Sequence, residues 1–144
     1  MAHSSRAFAL VALLLASCSG SNDGLSPVTG KVSVGGKPAV GAMLVFHSDG
    51  PPDAHATPAT AKAGADGTFA MNSGLKTGAK PGKYIVTVVW PDPTKKFTEM
   101  QIANGANPED APDLLGGRYA TREKSTLRAE IKAGATALEP FDLK

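Results

Sequence analysis

The chain has 144 residues, of which 42% are hydrophobic and 19% are charged, and it contains 16 glycines and 11 prolines. This composition is typical of a globular protein with one domain and one core, built from short strands and turns rather than long helices. The formal net charge is only +2, which excludes capture of nucleic acid or of an anionic membrane by overall charge.

The first residues of the chain predict an export signal. Residues 8 to 16 form an apolar run behind Arg6, and this run is too short to span a bilayer as a helix. The run leads into the sequence LASC, which ends at Cys18 and resembles the bacterial lipobox, the motif whose cysteine receives a diacylglycerol before cleavage. Cys18 is the only cysteine in the chain, so no disulfide forms within a monomer. We therefore predict a lipoprotein signal peptide at residues 1 to 17 and lipidation of Cys18.

The alternatives for this segment are an uncleaved apolar anchor and an ordinary signal peptide cut after Ser17. In the lipoprotein interpretation, the acyl chains anchor the protein to the membrane without a spanning segment. Residues 18 to 26 are rich in serine and glycine, a composition typical of a flexible linker. We expect a single domain over residues 27 to 144 in the cell envelope, at the outer membrane or the periplasmic face of the inner membrane.

The domain begins with alternating residues. Valines alternate with polar residues over residues 28 to 34, which predicts a strand with one buried face. The dipeptide Gly35-Gly36 predicts a type I′ hairpin turn, because both residues tolerate positive φ. Inward alternation resumes over residues 42 to 46, which we interpret as the second arm of this hairpin.

Two further patterns follow along the chain. The sequence ADG at residues 65 to 67 is a turn signal between residues 59 to 63 and 68 to 71, and it predicts a second hairpin. The strongest strand pattern is KYIVTVVW at residues 83 to 90, where apolar residues on both faces predict a central strand. Its tyrosine and tryptophan share a face with valines, which predicts core positions rather than a sugar-binding platform.

The last part of the chain is also β-like. Residues 127 to 131 alternate again, and residues 138 to 143 predict a final short strand. No stretch has the apolar stripe of a helix. About seven short strands separated by turns predict an all-β Greek-key sandwich, with the N- and C-terminal strands at its edges. An unpaired edge strand leaves β-augmentation open as a route to partners.

Several motifs occur in the order seen in one known domain family. They are Val28-Thr29-Gly30-Lys31-Val32, Gly36-Lys37-Pro38, Gly41-Ala42, Phe46, Ala65-Asp66-Gly67-Thr68-Phe69 and Pro81-Gly82-Lys83-Tyr84. With them the chain resembles the carboxypeptidase regulatory-like domains. Its end is similar to the small transthyretin-like lipoproteins of that group, in Arg118-Tyr119-Ala120, Ser125-Thr126-Leu127 and Phe141-Asp142-Leu143. The resemblance implies a prealbumin-like sandwich without peptidase activity, because in that family the domain is an accessory to the catalytic domain.

One cluster in the sequence has the chemistry of metal ligands, namely His47, Asp49, Asp53 and His55. Imidazole and carboxylate suit zinc, but this spacing matches no standard site, so we interpret the segment as a solvated loop and expect no cofactor. The chain also has no Gly-x-Ser-x-Gly elbow and no glycine-rich phosphate loop opening a helix. We therefore expect no enzyme. A metal-binding enzyme accessory that uses His47 and His55 is the alternative.

The segment at residues 91 to 117 has little periodicity, and loops of this length are usually functional or disordered. Phe97 and Tyr119 are the aromatic residues that we expect to be exposed there, and they are our candidates for binding. We expect this segment and the loop at residues 47 to 55 to carry any binding surface. The sequence thus predicts a lipid-anchored, non-catalytic envelope module with a structural role or contacts to protein or glycan. A dedicated carbohydrate-binding domain is the alternative.

Overall fold

The structure of the chain, a computed structural model, describes residues 24 to 51 and 56 to 144. In this part of the chain short strands form two sheets that enclose one hydrophobic core. The prediction of an all-β sandwich is confirmed. The predicted signal peptide and Cys18 lie outside the described residues.

The strands are, in chain order, β1 (Val28–Val34), β2 (Lys37–Pro38), β3 (Met43–Ser48), β4 (Ala59–Lys62), β5 (Thr68–Ala70), β6 (Asn72–Ser73), β7 (Lys76–Thr77), β8 (Gly82–Val89), β9 (Arg128–Ile131), β10 (Thr136–Ala137) and β11 (Phe141–Leu143). A short helix α1 (Glu99–Ala103) and a 3-10 turn (Pro108–Asp110) lie between β8 and β9. The described strands are more numerous than the seven that we expected, because four strands of two residues, β2, β6, β7 and β10, add to them. Their Greek-key connectivity stays a prediction.

Strand β1 is the centre of the first sheet. It pairs antiparallel with β5 and β2, and parallel with β10 and β11. The backbone groups of Val28 and Val32 bond to residues 67 to 71, whereas those of Thr29 and Gly35 bond to residues 138 to 143, so the two sets of partners flank opposite sides. The prediction that the N-terminal strand is an edge is therefore wrong. Its partners β5, β10 and β11 lie far away in sequence, where a local pattern carries no signal.

The second sheet has the order β7-β6-β4-β3-β8-β9, and its neighbours are antiparallel. Strand β8 lies between β3 and β9, as the apolar residues on both of its faces predicted. Tyr84, Val86 and Val88 of β8 are buried in the core, whereas Ile85 and Val89 lie half-buried on the outer face.

Both predicted turns form, but their arms do not pair as expected. Gly35 and Gly36 have φ of 55° and 78° and join β1 to β2, which ends after two residues at Pro38. Residues 43 to 46 belong to β3 of the other sheet, so the predicted long first hairpin is wrong. Likewise, β4 and β5 flank the turn at residues 64 to 67 but lie in different sheets. In both places the chain passes from one sheet to the other, because the apolar faces of the two arms cover the core from opposite sides.

Four aromatic rings join the two sheets. Phe46 of β3 lies 6.2 Å from Phe69 of β5, 6.4 Å from Tyr84 of β8 and 6.5 Å from Phe141 of β11, measured between ring centroids. The Phe69 and Phe141 rings stack at 6.4 Å with an interplanar angle of 10°. Since Phe46 and Tyr84 belong to one sheet and the other two rings belong to the opposite sheet, this cluster forms the aromatic centre of the core.

The strand directions give the sandwich two distinct ends. Residues 24 to 26 lead into β1 at one end, together with the turns at 74 to 75, 80 to 82 and 132 to 135, and we call this the N-terminal end. At the opposite end lie the turns at 35 to 36 and 64 to 67 and both ends of the segment at 91 to 117, and we call this the loop end. The two ends therefore present unrelated parts of the sequence.

Gly30 of β1 gives a sharp test of the aromatic core. A Cβ at Gly30 would lie 2.4 Å from Cζ of Phe69, so an added methyl group forces this ring out of its place. We expect Gly30→Ala to lower the free energy of unfolding by about 1–3 kcal/mol, measured by urea denaturation, because overpacking a core costs this much.

The control is Gly50→Ala, where the nearest atom to the new Cβ is Oγ of Ser48 at 3.6 Å and the expected change is within about 0.5 kcal/mol. Phe69→Leu should partly relieve the cost of Gly30→Ala, so that the two effects are not additive. Equal costs at Gly30 and Gly50 would contradict the placement of Phe69.

Candidate functional site

One carboxylate closes the long segment at the loop end. Oδ1 of Asp113 accepts hydrogen bonds from the backbone N–H groups of Trp90 at 2.9 Å and Leu115 at 3.0 Å, and Oδ2 accepts one from Gly117 at 2.9 Å. The N–H of Leu114 also donates to the carbonyl of Trp90. Both ends of the segment are thereby held together at the end of β8, so that residues 92 to 112 form a closed loop on the sandwich.

Short caps order the interior of this loop. The Thr98 hydroxyl accepts from the N–H of Gln101, and the Gln101 side chain accepts from the N–H of Thr98, which is a capping box for α1. Asn107 caps the 3-10 turn in the same way. Nζ of Lys62 in β4 forms an ion pair with Oε1 of Glu109 at 3.3 Å. We expected no helix, and α1 escapes the sequence pattern because five residues are too few for an apolar stripe.

Aliphatic side chains are exposed at the loop end. Met100 and Ile102 of α1 are 74% and 50% exposed, and α1 buries none of its residues. Leu114 is 48% exposed, and Val40, whose carbonyl accepts from Nε1 of Trp90, is 41% exposed. These four residues, Val40, Met100, Ile102 and Leu114, form what we call the aliphatic set. Sequence reasoning missed it, because it looked for exposed aromatic residues.

A shallow groove of about 170 Å³ lies beside Val40 of this set. Pro91, Pro93 and Pro108 line it together with Lys62 and Glu109. The groove is open, and its walls mix rigid apolar rings with an ion pair. This geometry suits a contact with an extended or irregular surface better than the enclosure of a small molecule.

The two predicted aromatic binding residues are less exposed than expected. Tyr119 is half-buried against the core, and its carbonyl accepts from the N–H of Val88 at 2.9 Å. Phe97 is also half-buried. Tyr119 is drawn inward because the carbonyls of Leu127 and Tyr119 accept from β8 ahead of the first residue of β9. Binding by Phe97 and Tyr119 stays a prediction.

His47 of β3 faces away from the core and already has a partner. Its Nε2 lies 3.0 Å from Oγ1 of Thr87, a hydroxyl that also reaches the carbonyl of Val45 at 3.4 Å. Burial lowers the pKa of His47 most, the Arg122 guanidinium lowers it further, and Glu123 raises it. The surroundings of the imidazole on the outer face of the sheet therefore favour its neutral form.

The predicted metal-ligand cluster is described only in part. Asp49 is exposed, and its N–H donates to the carbonyl of Lys83. Asp53 and His55 lie outside the described residues, so their relation to His47 stays a prediction. Over residues 24 to 51 and 56 to 144, no group of three or more histidine, cysteine or acidic side chains is arranged to hold a metal ion.

A second shallow groove, of about 280 Å³, has charged walls. Asp49, Lys83, Arg128 and Glu130 contribute both signs to its lining. Mixed charge of this kind creates no strong field for a charged ligand. Within the described part of the chain, no helix is long and apolar enough to cross a membrane.

The similarity of this chain to known proteins is weak. No protein-family model and no curated protein matches the sequence. A solved structure of a DUF3823 family protein from Parabacteroides merdae ATCC 43184 is similar with a TM-score of 0.35 and 16% identity, over 79% of this chain and 44% of that chain. This chain thus spans less than half the length of that protein, and a likeness at this level carries no inference about its activity.

The surroundings of His47 predict opposite shifts for two neighbouring substitutions. Arg122→Gln removes a positive charge and should raise the pKa of His47, whereas Glu123→Gln removes a negative charge and should lower it. The measurement is an NMR titration of the imidazole signals, with His47→Gln to identify the resonance. Shifts in the same direction in both variants would contradict this arrangement.

The lowered pKa of His47 also makes the stability of the protein depend on pH. Because folding lowers the pKa of His47, the unfolded chain takes up this proton first once the pH falls below about 6.5. The stability that neutral His47 contributes is present above that pH and is lost as the pH falls through the folded pKa. In urea denaturation, His47→Gln should therefore flatten the decline of stability over this acidic range.

Proposed function

We propose that this chain is a lipid-anchored, non-catalytic module of the bacterial cell envelope that presents its loop end to a protein partner. In this proposal the sandwich is a carboxypeptidase regulatory-like, transthyretin-like domain, and acyl chains on Cys18 hold it to the membrane. The single observation that carries the proposal is the separation of the two ends. The chain enters the sandwich at the N-terminal end, and the aliphatic set is exposed at the loop end.

The physics of the anchor supports this arrangement. Each buried methylene adds about 0.8 kcal/mol, and the two acyl chains of a diacylglycerol are enough for stable anchoring. Ser26 is the eighth residue after Cys18, and a fully extended chain of that length spans at most about 28 Å. The tether therefore keeps the N-terminal end near the lipid and leaves the loop end accessible to partners.

A protein partner is favoured over a glycan by the type of exposed side chain. Sugars stack on aromatic rings, and here the exposed large side chains at the loop end are Val40, Met100, Ile102 and Leu114. Methionine on an exposed surface suits contact with another protein, because its flexible thioether adapts to varied partners. The hydrogen bond of His47 to Thr87 supports a non-catalytic role over a metal-dependent one.

The anchor is tested by intact mass and membrane fractionation of the natively expressed full chain. We expect a mature chain that starts at Cys18 and carries acyl chains, found in the membrane fraction. Cys18→Ser should abolish the acyl mass and either release the protein or block processing. An unmodified chain that keeps residues 1 to 17, or a wild type in the soluble fraction, would overturn the anchor.

The contact surface is tested by photocrosslinking in intact envelopes. A photoreactive group at Ile102 should give a discrete, protease-sensitive adduct, whereas one at Thr60, an exposed position in the middle of the second sheet, should give none. Met100→Asp should weaken the Ile102 adduct at least several-fold and leave the circular dichroism spectrum unchanged. An adduct removed by glycosidases but not by proteases would favour the glycan alternative, and equal yields at both positions would contradict a partner at the loop end.

A further inference from the structure

A leucine occupies an unusual place at the N-terminal end. Gly74 and Leu75 form the two-residue turn between β6 and β7, since Ser73 pairs with Lys76, and Leu75 is fully exposed at 105%. Turn tips are normally occupied by glycine, proline, asparagine, aspartate or serine, which serve the backbone geometry. Leucine meets no requirement of the turn, and its whole apolar surface is left in water.

The predicted tether emerges at this same end. The N–H of Ser26 donates to the carbonyl of Ala79 at 2.8 Å, and the N–H of Ala79 donates to the carbonyl of Ser26 at 3.0 Å. Because this bridge is antiparallel, the chain from Ser26 back toward Gly24 runs alongside residues 80 and 81. It leaves the sandwich at the end where the turn of Leu75 also projects.

Three lysines lie around this end, with a small excess over the acidic side chains. Lys80, Lys83 and Lys132 are exposed there, against the acidic side chains of Asp49 and Glu130. An apolar tip beside lysines is the composition of surfaces that lie at a membrane interface, with the apolar group among the acyl chains and the ammonium groups at the phosphates.

We infer that the N-terminal end of the sandwich rests on the bilayer, with Leu75 inserted at the boundary of the acyl chains and the lysines at anionic headgroups. The inference rests on the proposed lipid anchor at Cys18. The bilayer is the favoured occupant because the tether of eight residues has a typical span of only about 16 Å. At that distance Leu75 meets the lipid surface as an intramolecular event, so a weak contact is enough.

This contact orients the domain as well as holding it. A tether alone fixes one point and leaves the orientation of the sandwich open, whereas the tether and the turn of Leu75 define two points on the same end. The loop end, which lies opposite, then faces away from the membrane. The aliphatic set is thereby kept exposed to partners in the aqueous space.

The test uses lipidated full-length protein in vesicles of phosphatidylethanolamine and phosphatidylglycerol. Because Cys18 is the only cysteine and is consumed by lipidation, Leu75→Cys introduces a unique thiol for an environment-sensitive fluorophore. Nitroxides on the lipid acyl chains should quench this label several-fold more than a label on Ile102→Cys at the loop end. Ile102 is the matched control because it is also an exposed aliphatic residue.

A label at a second position tests the membrane contact while Leu75 itself is left unchanged. The methyl group of Thr57 lies beside Gly74, so a label on Thr57→Cys reports on the turn. Its quenching should fall to the level of the Ile102 label when Leu75→Asp is added. Equal quenching at positions 75 and 102, with acylated Cys18 confirmed by mass, would overturn the membrane contact and leave the anchor standing. An unmodified Cys18 would overturn both.

Discussion

The contact of Phe46 with three aromatic rings is the interaction on which the rest of the structure depends. Its ring, from the middle of one sheet, meets Phe69 and Phe141 of the other sheet and Tyr84 of its own. Aromatic burial of this kind gives large hydrophobic stabilisation and fixes the sheets relative to each other. Side chains alternate between the two faces of a strand, so the inward position of Phe46 places its neighbour His47 on the outer face. Gly30 completes the arrangement, since the Phe69 ring occupies the space of its absent side chain.

The direction of the strands converts this core into an object with two different ends. Antiparallel pairing of β3 with β8 carries the chain from the N-terminal end to the long segment at the loop end. The described end of the predicted tether therefore lies at the N-terminal end of the sandwich, and the aliphatic set lies at the loop end. A sandwich of this kind suits a module that attaches at one end and presents a surface at the other, as loops on a rigid scaffold often do.

Aspartate side chains of the described residues form hydrogen bonds that order loops and turns. Asp113 accepts three backbone N–H groups at the base of the long loop. Hydrogen bonds from Thr68 lower the pKa of Asp66, and those from Thr94 lower the pKa of Asp92, so both carboxylates are engaged in turns. This use of aspartate is typical of chains rich in turns, where the side chain replaces a missing backbone partner. It explains why carboxylates are frequent in the loops without forming a paired acid and base.

The sequence by itself determined the β class, the Gly35-Gly36 turn and the central position of β8, because these follow from alternation and turn chemistry within a few residues. Only the tertiary structure decided that β1 is central, that β3 pairs with β8 rather than β1, and that Tyr119 turns toward the core, because these depend on partners far away in sequence. The candidate surfaces also differ in whether the sequence alone predicts them. The sequence before Cys18 that resembles a lipobox is a local motif. The aliphatic set and the exposed turn of Leu75 appear only once burial has separated the apolar residues of the core from those left in water.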